Sequence, residues 1–368
     1  MSWNWQHRRW PRFEYEVEDY KEQELRFFEN AGSLYGGLQY MSSTRQEDLK
    51  MDLMSHEATK TSEIEGDLLN RDSIHSSIRK QFGLQTDHRR VKPAEQGIAE
   101  MTVQVFRFYY EPLTHETLFA WHEMVTNGRR DLADIGQYRT HEDPMQIVSG
   151  PLGRSVVYFE APPSKRVPSE MTRFLSWFNS SARGEKKALP ALVRSAVAHL
   201  YFECIHPFED GNGRLGRAVA EKSLSQSLGR PTLVALSHSI NSNKKAYYKA
   251  LESNNKDLDI GEWIHYFCDL VLQGQQYTQQ MISFIVKKGK FYRAFESKLN
   301  PRQDKVVGRM FQEGFEGFKG GLSAKNYQTI SGAPSATATR DLTRMVEMGA
   351  FTKTGELKST RYFLNLNL

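Results

Sequence analysis

The sequence predicts a mainly α-helical protein with one small β-hairpin set into a helical body and a separate, basic C-terminal piece. Three observations predict it. Apolar residues recur at helical spacing through most of the first 285 positions. One stretch, GQYRTHEDPMQIVSGPLGRSVVYFEAPPSKRVP from Gly136 to Pro168, breaks that texture with Gly and Pro around short β-prone runs such as Val156 to Phe159. Near Gly289 the texture changes again, and basic residues begin to outnumber acidic ones.

Taken in order, residues 1 to about 40 are rich in Trp, Tyr and Phe. Trp3, Trp5 and Trp10 are expected to pack onto the body, because an exposed aromatic tail would aggregate. From Thr44 to about Lys80, Leu49, Leu53 and Ala58 recur at helical spacing. Residues 96–126 read as further helix, followed by the hairpin. Helix returns at Ser169 to Asn179, at Pro190 to Ile205, from the glycines near 213 to about Leu228, and at 244–254 and 261–273. The expected division is an N-terminal helical region over 1–90, a central domain over 91–285 and a C-terminal domain over 286–368.

The 368 residues suffice for two or three domains with a sizeable core. No apolar stretch of about 18 residues occurs, so no membrane partner is expected. The start, MSWNWQHRRW, lacks the apolar run of a signal peptide. The two cysteines, Cys204 and Cys268, lie in apolar helical context without metal-type spacing. They read as buried free thiols, which suggests a reducing, cytoplasmic setting.

The net charge of +5 is unevenly placed: residues 286–368 hold 15 Lys and Arg against 7 Asp and Glu, leaving the rest of the chain near −3. Asn300 and Pro301 open a helix, a short helix follows over Ala324 to Ile330, SGAPS turns, and SATATRDLTRMVEMGA forms a third helix. FTKTGELKSTRYFL then alternates around a Gly turn. Helix, helix, helix, hairpin over about 70 residues is the order of a winged helix. Thr337, Thr339 and Arg340 would open its recognition helix, with Lys353, Lys358 and Arg361 on the wing. The same module also serves protein interaction or dimerisation, so DNA and protein both remain open as partners.

Residues 206–217, HPFEDGNGRLGR, carry the chemistry. GNGRLG matches the dinucleotide-binding pattern G-x-G-x-x-G, but that fingerprint requires a preceding strand. Here Val193, Ala196, Val197, Leu200 and Ile205 share helical spacing, so the dinucleotide reading fails on context. The residues still suit an anion. Gly211 and Gly213 permit converging backbone amides, and a helix starting at Gly213 aims its free N–H groups at the loop. Arg214 and Arg217 share one helical face. Asp210 offers a hard oxygen for Mg2+, and His206 suits general-base work. His199, Glu203 and His206 also spell H-x3-E-x2-H, but no partner ligand motif accompanies it. His199 therefore reads as a core or interface histidine.

With His206, Phe208, Asp210, Gly211, Asn212, Gly213, Arg214 and Arg217 in place, the stretch resembles the motif of the Fic family, H-x-F-x-[D/E]-G-N-G-R-x-x-R. The resemblance implies a Fic-type helical bundle and AMP transfer from ATP to a Ser, Thr or Tyr hydroxyl of a target protein. It implies that His206 takes the hydroxyl proton and Asp210 holds Mg2+. Asn212 and the amides of Gly211 and Gly213 would steady the α-phosphate, and Arg214 and Arg217 would hold the β- and γ-phosphates. Phe208 would anchor the loop. The hairpin resembles the family's flap, which pairs with an extended target segment. AYYKALESNN resembles the adenine-pocket segment, with Tyr248 and Asn255 as candidates and Tyr247 as core.

Upstream, TSEIEG (Thr61 to Gly66) resembles the family's inhibitory pattern [S/T]-x-x-x-E-[G/N], in which the glutamate, here Glu65, pairs with the second motif arginine, here Arg217. That implies autoinhibition in cis. The resemblance also allows a homodimer and transfer of UMP or GMP. Two other functions stay open: removal of AMP with a water positioned by Glu65, and a DNA-binding regulator that uses the fold as a nucleotide sensor.

Overall fold

The structure is a computed structural model that describes every residue except 1, 40, 85, 87–89, 150–155, 316, 319 and 368. Among the described residues it is helical apart from two two-stranded sheets, in line with the mainly α reading. The chain divides into two compact units, Met1–Thr278 and Gln279–Leu368.

The first unit begins with the aromatic segment. Trp3, Trp5 and Trp10 are buried, each anchored by edge packing or by an indole N–H. Trp5 Nε1 donates to the Glu160 carbonyl at 2.6 Å and Trp10 Nε1 to Glu170 Oε2 at 2.9 Å. Helix α1 (Lys21–Gln39) follows, hidden from a sequence reading by its aromatic and glycine content. Its buried Phe27, Ala31, Leu34 and Leu38 keep helical spacing.

The expected helix from Thr44 to Lys80 is two helices, α2 (Ser43–Ile64) and α3 (Arg71–Gln81). Gly66, at φ +93°, ends the first, and Asn70 caps the second by accepting from Ser73 N–H at 3.0 Å. The span 96–126 likewise divides into α4 (Pro93–Arg107) and α5 (His115–Val125), the latter capped by Thr114. The flap is β1 (Gln146–Ser149) paired antiparallel with β2 (Val156–Glu160), with a register shift between Ile147 and Val148. Its connection, Gly150 to Ser155, lies outside the described residues.

Helices α6 (Val167–Ser180), α7 (Ala191–Ile205) and α8 (Asn212–Leu228) form the centre. Every residue of α7 is buried, as a helix apolar all round must be. Its one guanidinium, Arg194, is satisfied by the Phe178 carbonyl at 2.8 Å and Gln226 Oε1 at 2.7 Å. Helices α9 (Leu236–Ser242), α10 (Lys244–Ser253) and α11 (Gly261–Ala294) complete the body. The last continues well beyond the expected 273, through Gly289 and into the second unit's residues. Described residues between Trp3 and Leu84 share one apolar core with the rest of this unit. Cys204 and Cys268 are both buried and free. No helix among the described residues is long and apolar enough to cross a membrane.

The second unit contains α12 (Pro301–Gln312), α13 (Ala324–Ser331), α14 (Ser335–Glu347) and the hairpin β3 (Phe351–Thr354) with β4 (Arg361–Leu364). Its own core includes Phe291, Val307, Phe311, Leu322, Tyr327, Leu342 and Met345. Asp341 fastens three helices. It accepts from Arg302 Nε at 3.0 Å, from Tyr327 Oη at 3.0 Å and from Asn300 Nδ2 at 3.2 Å.

Candidate active site

The site lies where α7 stops and α8 starts. His206 ends α7 in the left-handed region, φ 49° and ψ 62°, which is uncommon for a residue with a side chain. Arg139, 2% exposed, holds it there. Its Nε donates to the His206 carbonyl at 2.8 Å, another nitrogen to the Pro162 carbonyl at 2.5 Å, and its backbone N–H to the Pro207 carbonyl at 3.0 Å. The GQYR stretch thus supplies a clamp for the His206 turn as well as the approach to the flap.

The loop is pinned from within. Phe208 is fully buried and stacks on His122 with ring centroids 4.2 Å apart. His122 bridges the loop and the approach to the flap: Nδ1 accepts from Gly136 N–H at 3.1 Å, and Nε2 lies 3.1 Å from the Asp210 carbonyl. With Nδ1 accepting, Nε2 carries the proton. Burial lowers the His122 pKa to about 4, so the ring stays neutral. Asn212 spends both ends of its amide on Phe208, accepting from its N–H at 2.9 Å and donating to its carbonyl at 2.8 Å. What Asn212 offers to an anion is therefore its backbone amide.

Gly211 stands at φ +81° as the residue before α8, a conformation that suits glycine. The first backbone bond returning along the helix is Leu215 N–H to the Gly211 carbonyl. The amides of Asn212, Gly213 and Arg214 precede it and have no intrahelical acceptor, so they form the positive end of a 17-residue helix.

Glu65 occupies that end. It caps α2, and its Oε1 accepts from the Arg217 guanidinium at 2.7 Å. Thr61 adds two contacts to Arg217, through Oγ1 at 2.7 Å and the backbone carbonyl at 3.0 Å. A Cβ on Gly213 would lie 2.3 Å from Glu65 Oε1, so only glycine lets the carboxylate approach the helix start this closely. Lys244 donates to the carbonyls of Glu63 and Ile64, and Tyr248 Oη reaches the Ile64 carbonyl at 3.3 Å. A cation and a hydroxyl from α10 thereby satisfy the last carbonyls of α2, the end of a helix that favours positive charge.

Asp210 faces Arg129, which also forms a two-point pair with Asp131. Arg214 lies 3.6 Å from Asp210 Oδ1 and 3.3 Å from Asp67 Oδ2. Burial alone would raise the Asp210 pKa; the hydrogen bond from Arg129, the charge of Arg214 and the Gly211 N–H together hold it below the usual value. It is therefore an ionised, partly exposed carboxylate. Among the described residues no group of three or more metal-type side chains occurs. The donor set suits a cation held by one carboxylate and by substrate phosphates, as Mg2+ commonly is.

His206 turns Nδ1 inward, buried without a hydrogen-bond partner, 3.8 Å from Glu203 Oε2. Burial, and then the Arg139 charge, lowers its pKa to about 4. Glu203 is buried behind it, and burial raises its pKa to about 8, against the pull of Arg217. His199 lies in the core, 2.7 Å from Tyr247 Oη and stacked on Trp263 and Phe267.

Of the sequence candidates, His206, Asp210, Gly211, Asn212, Gly213, Arg214, Arg217, Thr61 and Glu65 form one connected neighbourhood, with Gly66 ending α2 beside it. Tyr248 borders it through Ile64. Asn255 is placed elsewhere in its bonding: its Nδ2 donates to the Tyr158 carbonyl of β2 at 3.2 Å, and its own carbonyl accepts from Asn4 N–H. Arg129, His122 and Lys244 were not legible as site residues, since a lone Arg, His or Lys on a helix or loop carries no pattern, and Glu203 had appeared only in the H-x3-E-x2-H spacing that lacks a partner motif. Arg139 stood inside a quoted motif, but nothing in the sequence marked it as buried.

The description "Fic/DOC family" matches residues 112–224, which contain the whole loop and α8 up to Leu224. This chain carries a Fic/DOC family domain. Residues 3–84 match a domain of unknown function, DUF4172, which takes in the aromatic start and Glu65. A Fic family protein from Desulfovibrio desulfuricans G20 shares the fold at TM-score 0.52 and 19% identity, covering 95% of this chain and 97% of that one. A Fic domain containing signaling protein from Bacteroides thetaiotaomicron does so at TM-score 0.52 and 18% identity, over 70% of this chain and 95% of that one. In sequence, a probable protein adenylyltransferase of Aquifex aeolicus is 33% identical over 69 residues, 19% of this chain and 20% of the relative. The protein adenylyltransferase Fic of Culex quinquefasciatus is 30% identical over 132 residues, 35% of this chain and 24% of the relative. The chain thus aligns with about a quarter or less of the length of these curated relatives.

Proposed function

We propose that this Fic protein is a protein adenylyltransferase restrained in cis by Glu65. The observation that carries the reading is a single spot. The Glu65 carboxylate lies against Gly213 and Arg217, at the free amide end of α8, where an anion is most favoured. A carboxylate there stands where a terminal phosphate of ATP would go. The names of the curated relatives support the same activity.

In the active state Glu65 withdraws, and Arg217 and Arg214 take the γ- and β-phosphates. The amides of Asn212 and Gly213 face the α-phosphate as charge develops on it. A target Ser, Thr or Tyr hydroxyl attacks the α-phosphorus, the bond to the leaving pyrophosphate breaks, and the hydroxyl proton passes to His206. Because His206 is neutral and Nδ1 is turned inward, Nε2 is the nitrogen that receives it. Asp210, with Arg129 displaced, is the residue that would hold Mg2+, which when bound neutralises the phosphate charge. Ile147, Val148 and Val157 leave apolar side chains exposed on the flap, which supports docking of an extended target segment. Two buried free thiols support a reducing, cytoplasmic setting.

The test is transfer from α-labelled ATP to proteins of a bacterial lysate, with Mg2+. Glu65→Gly should label far more strongly than wild type, and Glu65→Gly/His206→Ala should not label. Strong labelling by the double variant would remove His206 from the chemistry.

A further inference from the structure

The second unit contains none of the residues given a role in the transfer reaction, and it carries a basic surface of its own. Helices α13 and α14 are joined by three residues, Gly332 to Pro334, with Gly332 at φ +75° ending the first. Asp341, on the inner side of α14, is tied to Arg302, Asn300 and Tyr327, so the helix is fixed and its other side faces outward. The exposed residues of α14 are Ser335, Ala336, Thr339, Arg340, Thr343, Arg344 and Glu347.

Charge on this face is mostly positive, the one exposed carboxylate of α13 and α14 being Glu347 at the end of α14. From Gly320 to Val346 the charged residues are Lys325, Arg340, Asp341 and Arg344, and the three cations are exposed while Asp341 is buried in its network. Lys353 is exposed on β3, in the hairpin that follows. No large apolar side chain of α13 or α14 is exposed. A protein-docking face would need an apolar centre with aromatic anchors, and this one has none. Small Ala and Thr side chains interleaved with arginines instead suit a groove edged by phosphates: arginine pairs with guanine edges, and Ala or Thr methyls meet the thymine methyl. A helix enters the major groove of B-form DNA, whereas the major groove of duplex RNA is too narrow.

We propose that this unit binds duplex DNA, with the exposed face of α14 in the major groove, Thr339, Arg340 and Thr343 toward base edges, and Lys325, Arg344 and Lys353 on flanking phosphates. This goes beyond adenylyl transfer and does not depend on it.

The experiment is fluorescence anisotropy of the full chain with a labelled random-sequence duplex of about 20 bp at 50 and 200 mM salt, with the Tm of each variant as a folding check. Wild type should bind, and affinity should fall with salt at a log–log slope of about −3. Arg340→Ala/Arg344→Ala should weaken binding about tenfold and reduce the slope by about 1, since of the two only Arg344 is placed on a phosphate. The charge-matched Lys186→Ala/Lys187→Ala and the inactive His206→Ala should bind as wild type. Absence of binding at 50 mM salt would overturn the proposal. So would equal loss in both double variants, or duplex RNA bound as tightly as DNA. If Arg340→Ala/Arg344→Ala left DNA binding intact and shifted the sedimentation coefficient, the face would be a protein interface and the proposal would fall. His206→Ala separates this result from the catalytic reading, since loss of transfer leaves the DNA experiment untouched.

Discussion

Arg217 donates to Glu65 Oε1 at 2.7 Å, and that same oxygen lies 2.3 Å from where a side chain on Gly213 would begin. One carboxylate thus engages the second motif arginine and the start of α8 together. Gly213→Ala should displace Glu65 without creating an active enzyme, because the new methyl also intrudes on the cradle and lies 3.1 Å from an Arg217 nitrogen. ATP binding measured by calorimetry should remain weak in Gly213→Ala, in contrast to Glu65→Gly. Transfer by Gly213→Ala at the level of Glu65→Gly would contradict this.

Lys244 holds the last carbonyls of α2, directly before Glu65. Lys244→Ala should loosen that turn and give transfer between wild type and Glu65→Gly, with hydrogen exchange faster at residues 62–66. Unchanged exchange there would place the restraint wholly in the Glu65–Arg217 pair.

Arg139 fixes the left-handed turn at His206. Arg139→Ala leaves the His206 and Pro162 carbonyls without this donor, and each orphaned buried acceptor costs about 1–3 kcal/mol. A clear fall in the denaturation midpoint is expected, together with loss of transfer in the Glu65→Gly background. A variant as stable as wild type would show that the turn holds without its clamp.

Stability should have a broad maximum on the acid side of neutrality. Burial lowers the pKa values of His56 and His199 to about 3 and of His122 and His206 to about 4, from 6.5. The unfolded chain takes up these protons first, so the contribution is full above 6.5 and is lost as pH falls toward 4. Burial raises Glu57 to about 7 and Glu203 and Glu221 to about 8, from 4.5. Here the folded chain keeps the protons, so the contribution is full below 4.5 and is lost as pH rises through 7 to 8. Between 4.5 and 6.5 the two sets oppose each other. Urea midpoints from pH 4 to 9 should decline on both sides of that window, and Glu203→Gln should flatten the alkaline limb. Stability still rising at pH 8 would contradict the buried neutral carboxyls.

The helical body was legible because apolar spacing survives in a sequence, and the loop was legible because its residue types are tied to fixed positions. Helix α1 was not, since its aromatic and glycine content masks the period carried by Phe27, Ala31, Leu34 and Leu38. The divisions at Gly66 and after Arg107 were missed because apolar residues alone were followed, without weighing the left-handed Gly66 or the Asn70 and Thr114 caps that start the next helices. His122 and Arg139 reach the loop across long sequence separations, through a stacked ring and a buried guanidinium. Such contacts depend on tertiary placement. Asn212 was expected to steady the α-phosphate without a named atom, and the structure ties its side-chain amide to Phe208, which leaves its backbone N–H. A motif position names a residue type but does not say which of its atoms is already engaged.

The most direct measurement is the rate of AMP transfer from α-labelled ATP by wild type, Glu65→Gly and Glu65→Gly/His206→Ala, side by side with Mg2+ and lysate. The account predicts weak, strong and absent labelling in that order. Equal labelling by wild type and Glu65→Gly would contradict the claim that the Glu65–Arg217 pair restrains the enzyme.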